Sequence, residues 1–172
     1  MSGWLAAISS AGATSVVVKQ PKKPYRPETD GYAALTLLLD ADPEITGVLC
    51  FSDRMAAGVL AAALDRGLAV PGELSIIGFD DSPVASNSRP ALTTVRQDLA
   101  EKGHAAAEGL IAAVQARTAN RTDSVQETPG AATHVVLPVE LIVRESTGPA
   151  KAGTPRGSLI PTTRSAPEGA SE

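Results

Sequence analysis

Between Glu28 and Asp40 the apolar residues Tyr32, Leu35, Leu38 and Leu39 recur at helical spacing, and Glu28, Thr29 and Asp30 supply capping and dipole-compatible groups at the start. This predicts an amphipathic helix. The run Thr46 to Ser52 is short and almost continuously apolar, the pattern of a strand buried on both faces. A second helix is predicted from Asp53 to about Arg66, with Met55, Val59, Leu60, Ala63 and Leu64 on one stripe and Gly67 as its stop. Val70, Pro71 and Gly72 turn the chain into another apolar run, Leu74 to Phe79. The order strand, helix, strand implies parallel pairing with right-handed connections.

Upstream, Thr14 to Lys19 reads as a strand preceded by a helix from about Gly3 to Ser10. Downstream of a Pro- and Ser-rich loop from Ser82 to Pro90, the segment LTTVRQ reads as a short strand. A helix follows from Asp98 to about Arg117, with Leu99, Ala106, Leu110, Ile111 and Val114 on one stripe. Residues Thr118 to Ala132 lack periodicity and read as a mobile loop. THVVLPVELIVR is the last strand-like run, with Pro138 marking an edge or a bulge. From Gly148 onward no apolar face is patterned, which predicts a folded region over 1–147 and a disordered tail over 148–172. The fold class is therefore α/β, a three-layer parallel sheet flanked by helices.

Composition narrows the functional classes. The chain has 172 residues, enough for one ordinary domain, and with aromatics at 3% its core must be built from Val, Leu, Ile and Ala. A net charge of -4 offers no broad positive field for a phosphate backbone, which disfavours autonomous nucleic-acid binding. Lys22 and Lys23 form a small charged pair beside prolines and read as a solvated face. Cys50 is the only cysteine, so no intrachain disulfide can form, and its apolar surroundings in GVLCF predict a buried, inert thiol compatible with a reducing cytoplasm. The start MSGWLAAISSAGA is only superficially like a secretory leader: it has no basic n-region, and Ser9 and Ser10 end the apolar run early. No stretch approaches the roughly 20 apolar residues of a membrane span.

Chemistry concentrates at two strand ends. In open parallel sheets, ligands bind beyond the carboxyl ends of the strands. Ser52 and Asp53 follow the first buried strand, and Asp80 and Asp81 follow the second. If those strands are neighbours, Ser52, Asp53 and Asp80 face one crevice, where a carboxylate can accept hydrogen bonds from the vicinal hydroxyls of a polyol. The same residues also fit a purely structural account, with Ser52 capping its helix, Asp53 complementing the helix dipole, and Asp80 and Asp81 serving a turn. His104 and His134 have no acid, cysteine or second histidine at relay or ligand spacing, and no nucleophile elbow or phosphate-binding glycine loop is present. A carboxylate-dependent enzyme is thus a weak alternative, with no metal or cofactor implied.

The stretch FSDRMAAGVLAAALDRGLAVPGELSIIGFDDSPVASNSRPALTTVRQDLAEKGHAAAEGLI, followed by LPVELIVREST, resembles the C-terminal part of LacI/GalR transcription regulators over most of Gly31 to Thr147. Several motifs occur in the right order and spacing. The resemblance implies one lobe of a truncated, periplasmic-binding-protein-like type I fold, sensing a sugar or nucleoside-like effector in the cytoplasm, without the helix-turn-helix through which such regulators meet DNA. It implies Asp80, the first acid of GFDD, as the main ligand of effector hydroxyls, and Asp53 beside it. Ser52 stands where the family usually has Asn, Gln97 in VRQD matches a residue of the crossover near the effector, and Tyr25 matches an aromatic that stacks on the sugar. The effector-binding Arg of the family would fall just ahead of Met1. The resemblance further implies a homodimer built on the helix from Met55 to Arg66 and the loop from Val84 to Ser88, with Met55, Val59, Ala63 and Val84 at the interface. Taken alone as residues, Met55, Val59 and Ala63 equally suit a core. A sugar-binding protein of a transport system shares the fold and is the alternative from another class.

Overall fold

The structure, a computed structural model, describes residues 2–13, 15, 17–19, 24–119, 135–149 and 163–165. The expected loop beyond residue 119, with His134, and the pair Lys22 and Lys23 lie outside them. The elements run α1 (Ser2–Ser10), β1 (Val17–Lys19), α2 (Pro27–Ala41), β2 (Gly47–Leu49), α3 (Asp53–Asp65), β3 (Ser75–Asp80), α4 (Pro83–Asn87), β4 (Thr93–Gln97), α5 (Leu99–Ala119), β5 (Val139–Ile142) and β6 (Thr163–Ser165). Each predicted helix and strand has a counterpart among these. Strands β2, β3, β4 and β5 form a four-stranded sheet in that order, mostly parallel and flanked by helices. Strand β1 pairs in parallel with β6, so Thr163–Ser165 of the expected tail lie in a strand. Apart from these residues and 148–149, that tail is outside the described residues.

The chain divides into two compact units, Met1–Val95 with Leu141–Glu172, and Arg96–Glu140. The first holds the core. Leu35 of α2, Val59 and Leu60 of α3, Val48 of β2 and Ile76 of β3 are buried together with Cys50. Each large aliphatic side chain removed from water in this way contributes roughly 1.5–3 kcal/mol. In the second unit, Leu99, Leu110, Ile111 and Val114 of α5 are each more than half exposed.

Local sequence sets the helix ends that matter for the site. Pro27 occupies the first turn of α2, where its missing N–H costs nothing, and the Asp30 carboxylate accepts from Arg26 N at 2.9 Å. Ser52 caps α3 by accepting from Met55 N at 3.2 Å. At the other end Gly67 adopts φ 72, a left-handed conformation open to glycine, and Leu68 N closes onto Ala63 O at 3.0 Å.

Helices α2 and α3 cross with their backbones in contact. A β-carbon on Gly31 would meet the Met55 carbonyl, and one on Gly58 would meet the Glu28 carbonyl. The two glycines therefore allow an approach that no other residue permits, and it fixes α2 against the helix that starts at the strand tip.

Two expectations are corrected. Strand β2 is buried on one face only: Val48 and Cys50 enter the core, whereas Leu49 is exposed and Phe51 is 85% exposed. An apolar run specifies a strand but not whether both faces are covered, and α2 and α3 cover one. Second, Met55, Val59 and Ala63 are buried within this chain's own core and present no surface to a second copy. Their helical spacing marks the inward face of α3.

Candidate site at the strand tips

Strands β2 and β3 are parallel neighbours, with Gly47 beside Ser75, Val48 beside Ile76 and Leu49 beside Ile77. Cys50 N continues the ladder to Ile77 O at 2.9 Å. Carried on, this register brings Ser52 and Asp80 to the same end of the sheet, as the crevice argument requires.

Ser52 does two things there. Its Oγ accepts from Met55 N and lies 3.2 Å from the Tyr25 hydroxyl. Tyr25 sits just ahead of α2 and is 60% exposed as a residue, so the close crossing of α2 and α3 is what delivers an aromatic residue to the Ser52 side of the tip. Three of the expected residues, Tyr25, Ser52 and Asp80, thus share one edge of the first unit. Gln97 belongs to the second unit, where its Oε1 accepts from Lys102 Nζ at 3.2 Å.

Asp53 lies next to this group but is enclosed, at 1% exposure. Its Oδ1 accepts from Thr94 Oγ1 at 2.5 Å and its Oδ2 from Ser82 N at 2.6 Å. A β-carbon on Gly78 would strike the same carboxylate, so β3 must be bare at that point for Asp53 to reach Thr94. These contacts link the start of α3, the loop after β3 and strand β4.

Sequence reasoning missed the partner of Asp81. Its Oδ1 accepts from Arg144 Nη2 at 2.5 Å, in a pair only 20% and 10% exposed. The same guanidinium donates to Leu92 O at 2.9 Å, and Arg144 N donates to Thr93 Oγ1 at 2.9 Å. Ser146 extends this seam, donating from Oγ to Ile76 O at 2.6 Å and accepting from Thr93 N at 2.8 Å. The segment VREST, noticed only as a motif, therefore binds β3 and β4 together through its polar groups.

Cys50, just behind the tip, is buried, and loss of water pushes its thiol up to about 12, with the nearby Asp53 charge adding to the effect. It remains an unreactive core thiol. His104 is solvent-facing and approaches Glu108 at 3.2 Å one turn along α5. Among the described residues no cluster of His, Cys, Asp and Glu could hold a metal ion, and no helix is long and apolar enough to cross a membrane.

A groove of about 550 Å³ lies elsewhere, on the outer side of α2 and α3, lined by Glu28, Thr29, Tyr32, Ala33, Ala57, Gly58 and Ala61. Its walls are almost wholly apolar. Convergent polar groups, which orient a small ligand, occur at the strand tips and not in this groove.

Residues 1–147 match the family described as periplasmic binding protein-like domain. The transcriptional regulator MalR of Streptomyces coelicolor is 38% identical over 127 residues, which is 73% of this chain and 33% of MalR. Among solved structures, a LacI family regulator of Arthrobacter sp. FB24 in complex with lactose is 30% identical, with a TM-score of 0.63 over 84% of this chain and 48% of that one. The complex of the transcriptional regulator CelR with cellobiose gives a TM-score of 0.65 at 26% identity, over 84% of this chain and 40% of that one. The chain thus spans about a third of the curated relative and less than half of each solved chain.

Proposed function

Because the chain belongs to the LacI/GalR family, as an effector-binding, periplasmic binding protein-like portion of such a regulator, we propose that its strand tips bind a sugar when the rest of the regulator is in place. The observation that carries this reading is the parallel pairing of β2 and β3, which sets Ser52 and Asp80 at one end of the sheet with the Tyr25 hydroxyl against Ser52. Asp80 accepts hydrogen bonds from the sugar's hydroxyls, each contributing roughly 1.5–3 kcal/mol. Tyr25 supplies a ring for the C–H face of the sugar, and Ser52 a hydroxyl beside it. Asp53 has both oxygens engaged within the protein and supports the site from behind. The complexes with lactose and cellobiose in related regulators support a sugar as the ligand class. The relatives are transcription regulators and not enzymes.

In the complete regulator, sugar binding shifts the balance between two arrangements of the effector-binding lobes, a coupling typically of about 1–3 kcal/mol, and DNA is met by a separate helix-turn-helix domain in the cytoplasm. A second copy of the chain meets the outward face of α3, where Ala57 and Ala61 lie, together with Val84 of α4.

Titration of the purified chain with lactose, cellobiose and ribose, followed by amide resonances, tests the site. Binding by this portion alone is expected to be weak, with dissociation constants of millimolar order or above, and shifts confined to residues around Ser52 and Asp80. Asp80→Ala should weaken it by about tenfold or more. Micromolar affinity that survives Asp80→Ala, or shifts confined to the groove between α2 and α3, would remove the strand tips from consideration.

A further inference from the structure

We infer that Asp53, Thr94 and Arg144 are positioning residues that hold the loop after β3 in a left-handed backbone and so fix how Asp80 is presented. This deepens the reading of Asp80 as the sugar ligand and rests on it. Asp80 has φ 104 and Asp81 φ 52, a region that residues bearing a β-carbon seldom enter and keep only where their surroundings over-determine it.

The surroundings here come from three directions. From α3, the Asp53 carboxylate takes the Ser82 amide at 2.6 Å, which pins the residue after the strained pair. From β4, the Thr94 hydroxyl accepts from Asp81 N at 3.3 Å while donating to Asp53 at 2.5 Å, so one buried oxygen serves both anchors. From the segment after β5, Arg144 closes on the Asp81 carboxylate at 2.5 Å. The exposures agree with this division of labour: Asp53 and Thr94 are buried and act from inside, and the Arg144–Asp81 pair, 20% and 10% exposed, closes the loop from a half-buried position.

Connectivity gives the arrangement its consequence. The first unit ends at Val95 and resumes at Leu141, so Thr94 sits just before the chain leaves that unit and Arg144 just after it returns. Both crossings are tied to the Asp80–Asp81 loop through contacts that lie wholly within the first unit. The tie between the loop and these two segments therefore stays within one unit.

The test uses the full chain without any sugar, so that failure of sugar binding and failure of this inference are separate results. Thr94→Val removes the hydroxyl and nearly keeps the shape, Thr94→Ser keeps the hydroxyl, and Arg144→Met removes the ion pair and provides a second variant should the buried one not fold. Two signals are read. The amide-to-α-proton couplings of Asp80 and Asp81 report φ directly, and exchange of the Asp81 and Ser82 amides is compared with that of Val59 to Ala63 in the core. Expected in Thr94→Val and Arg144→Met are altered couplings and an acceleration at Asp81 and Ser82 about tenfold beyond any in the core, with Thr94→Ser like the parent. Unchanged couplings, or acceleration equal in loop and core, would mean that the contacts contribute general stability only and would overturn the inference.

Discussion

Replacing Gly58 by alanine adds one methyl group to α3 at the point where the α2 backbone passes closest. The new carbon would lie 2.8 Å from the Glu28 carbonyl carbon and 3.0 Å from its Cα, with the carbonyl oxygen nearer still. Ordinary carbon contacts fall at about 3.5–4.0 Å, so the helices must separate by about 1 Å. The obstacle is backbone and has no rotamer by which to give way. A gap of that size forfeits a quarter to a half of each dispersion contact it opens, including those of Leu35, the buried anchor of α2. Overpacking of this kind costs about 1–3 kcal/mol, and with backbone on both sides we take the upper end. Against it stands the better helix propensity of alanine, about 1 kcal/mol. The net expectation is a loss of about 2 kcal/mol in urea unfolding followed by circular dichroism, without a change of m-value. Gly31→Ala meets the Met55 carbonyl in the same manner, at 3.0 Å to its carbon, and should behave alike. Since both methyls press on one crossing, the double variant should lose clearly less than the sum, because the second methyl enters a gap the first has opened. Stabilisation by either single change, or additivity within about 0.5 kcal/mol, would refute the argument from backbone contact.

Three shorter expectations follow from the same geometry. The Cys50 thiol, pushed up to about 12 by burial, should react with a thiol reagent at pH 8 roughly a thousandfold more slowly than a free cysteine, and labelling should appear only as the chain unfolds; rapid native labelling would contradict its enclosure. The Arg54 guanidinium, bonded to Glu28 at 2.6 Å, holds that carboxyl below its ordinary value of 4.5. A carboxyl lowered in the folded state stabilises it above the ordinary value and ceases to do so as pH falls through the folded one, so Arg54→Met should reduce the acid sensitivity of stability only below about pH 4.5, and high salt should mimic it. Ala61→Arg, placed in the groove on the outer side of α3, should abolish any concentration-dependent dimer in sedimentation while leaving the unfolding midpoint nearly unchanged; a dimer that survives it does not use this face.

The reach of sequence reasoning varied with the separation of the residues involved. Helix α3 was legible from within: Ser52 is its cap, Asp53 its first-turn acid, and the stripe of Met55, Val59 and Ala63 its buried face. Assigning that stripe to a dimer interface ran against the periodicity that identified it, because the residues that face inward at helical spacing are committed to the core. The outward positions Ala57 and Ala61 are small and carry no periodic signal of their own. Neighbouring strands could be inferred from the β-α-β order, whereas the exposure of Leu49 and Phe51 on the second side of β2 could not.

Least legible were contacts between residues far apart in the chain. Asp53 meets Thr94 across 41 positions, and Asp81 meets Arg144 across 63. At the strand tips such contacts enclose Asp53 and engage Asp81, whose side chain is 10% exposed. A buried carboxylate must be matched by hydrogen-bond donors, as Asp53 is by Ser82 and Thr94, while Asp81 is paired with Arg144. Ser52, Asp80 and Asp81 are all partly open to solvent, and Asp53 alone of the four is buried. The structural account of these residues and the proposed ligand-binding one are therefore compatible. Ser52 shows how one residue can serve both, since its Oγ caps α3 and lies against the Tyr25 hydroxyl; on the proposed reading Asp53 and Arg144 likewise hold the loop that presents Asp80 to a sugar hydroxyl.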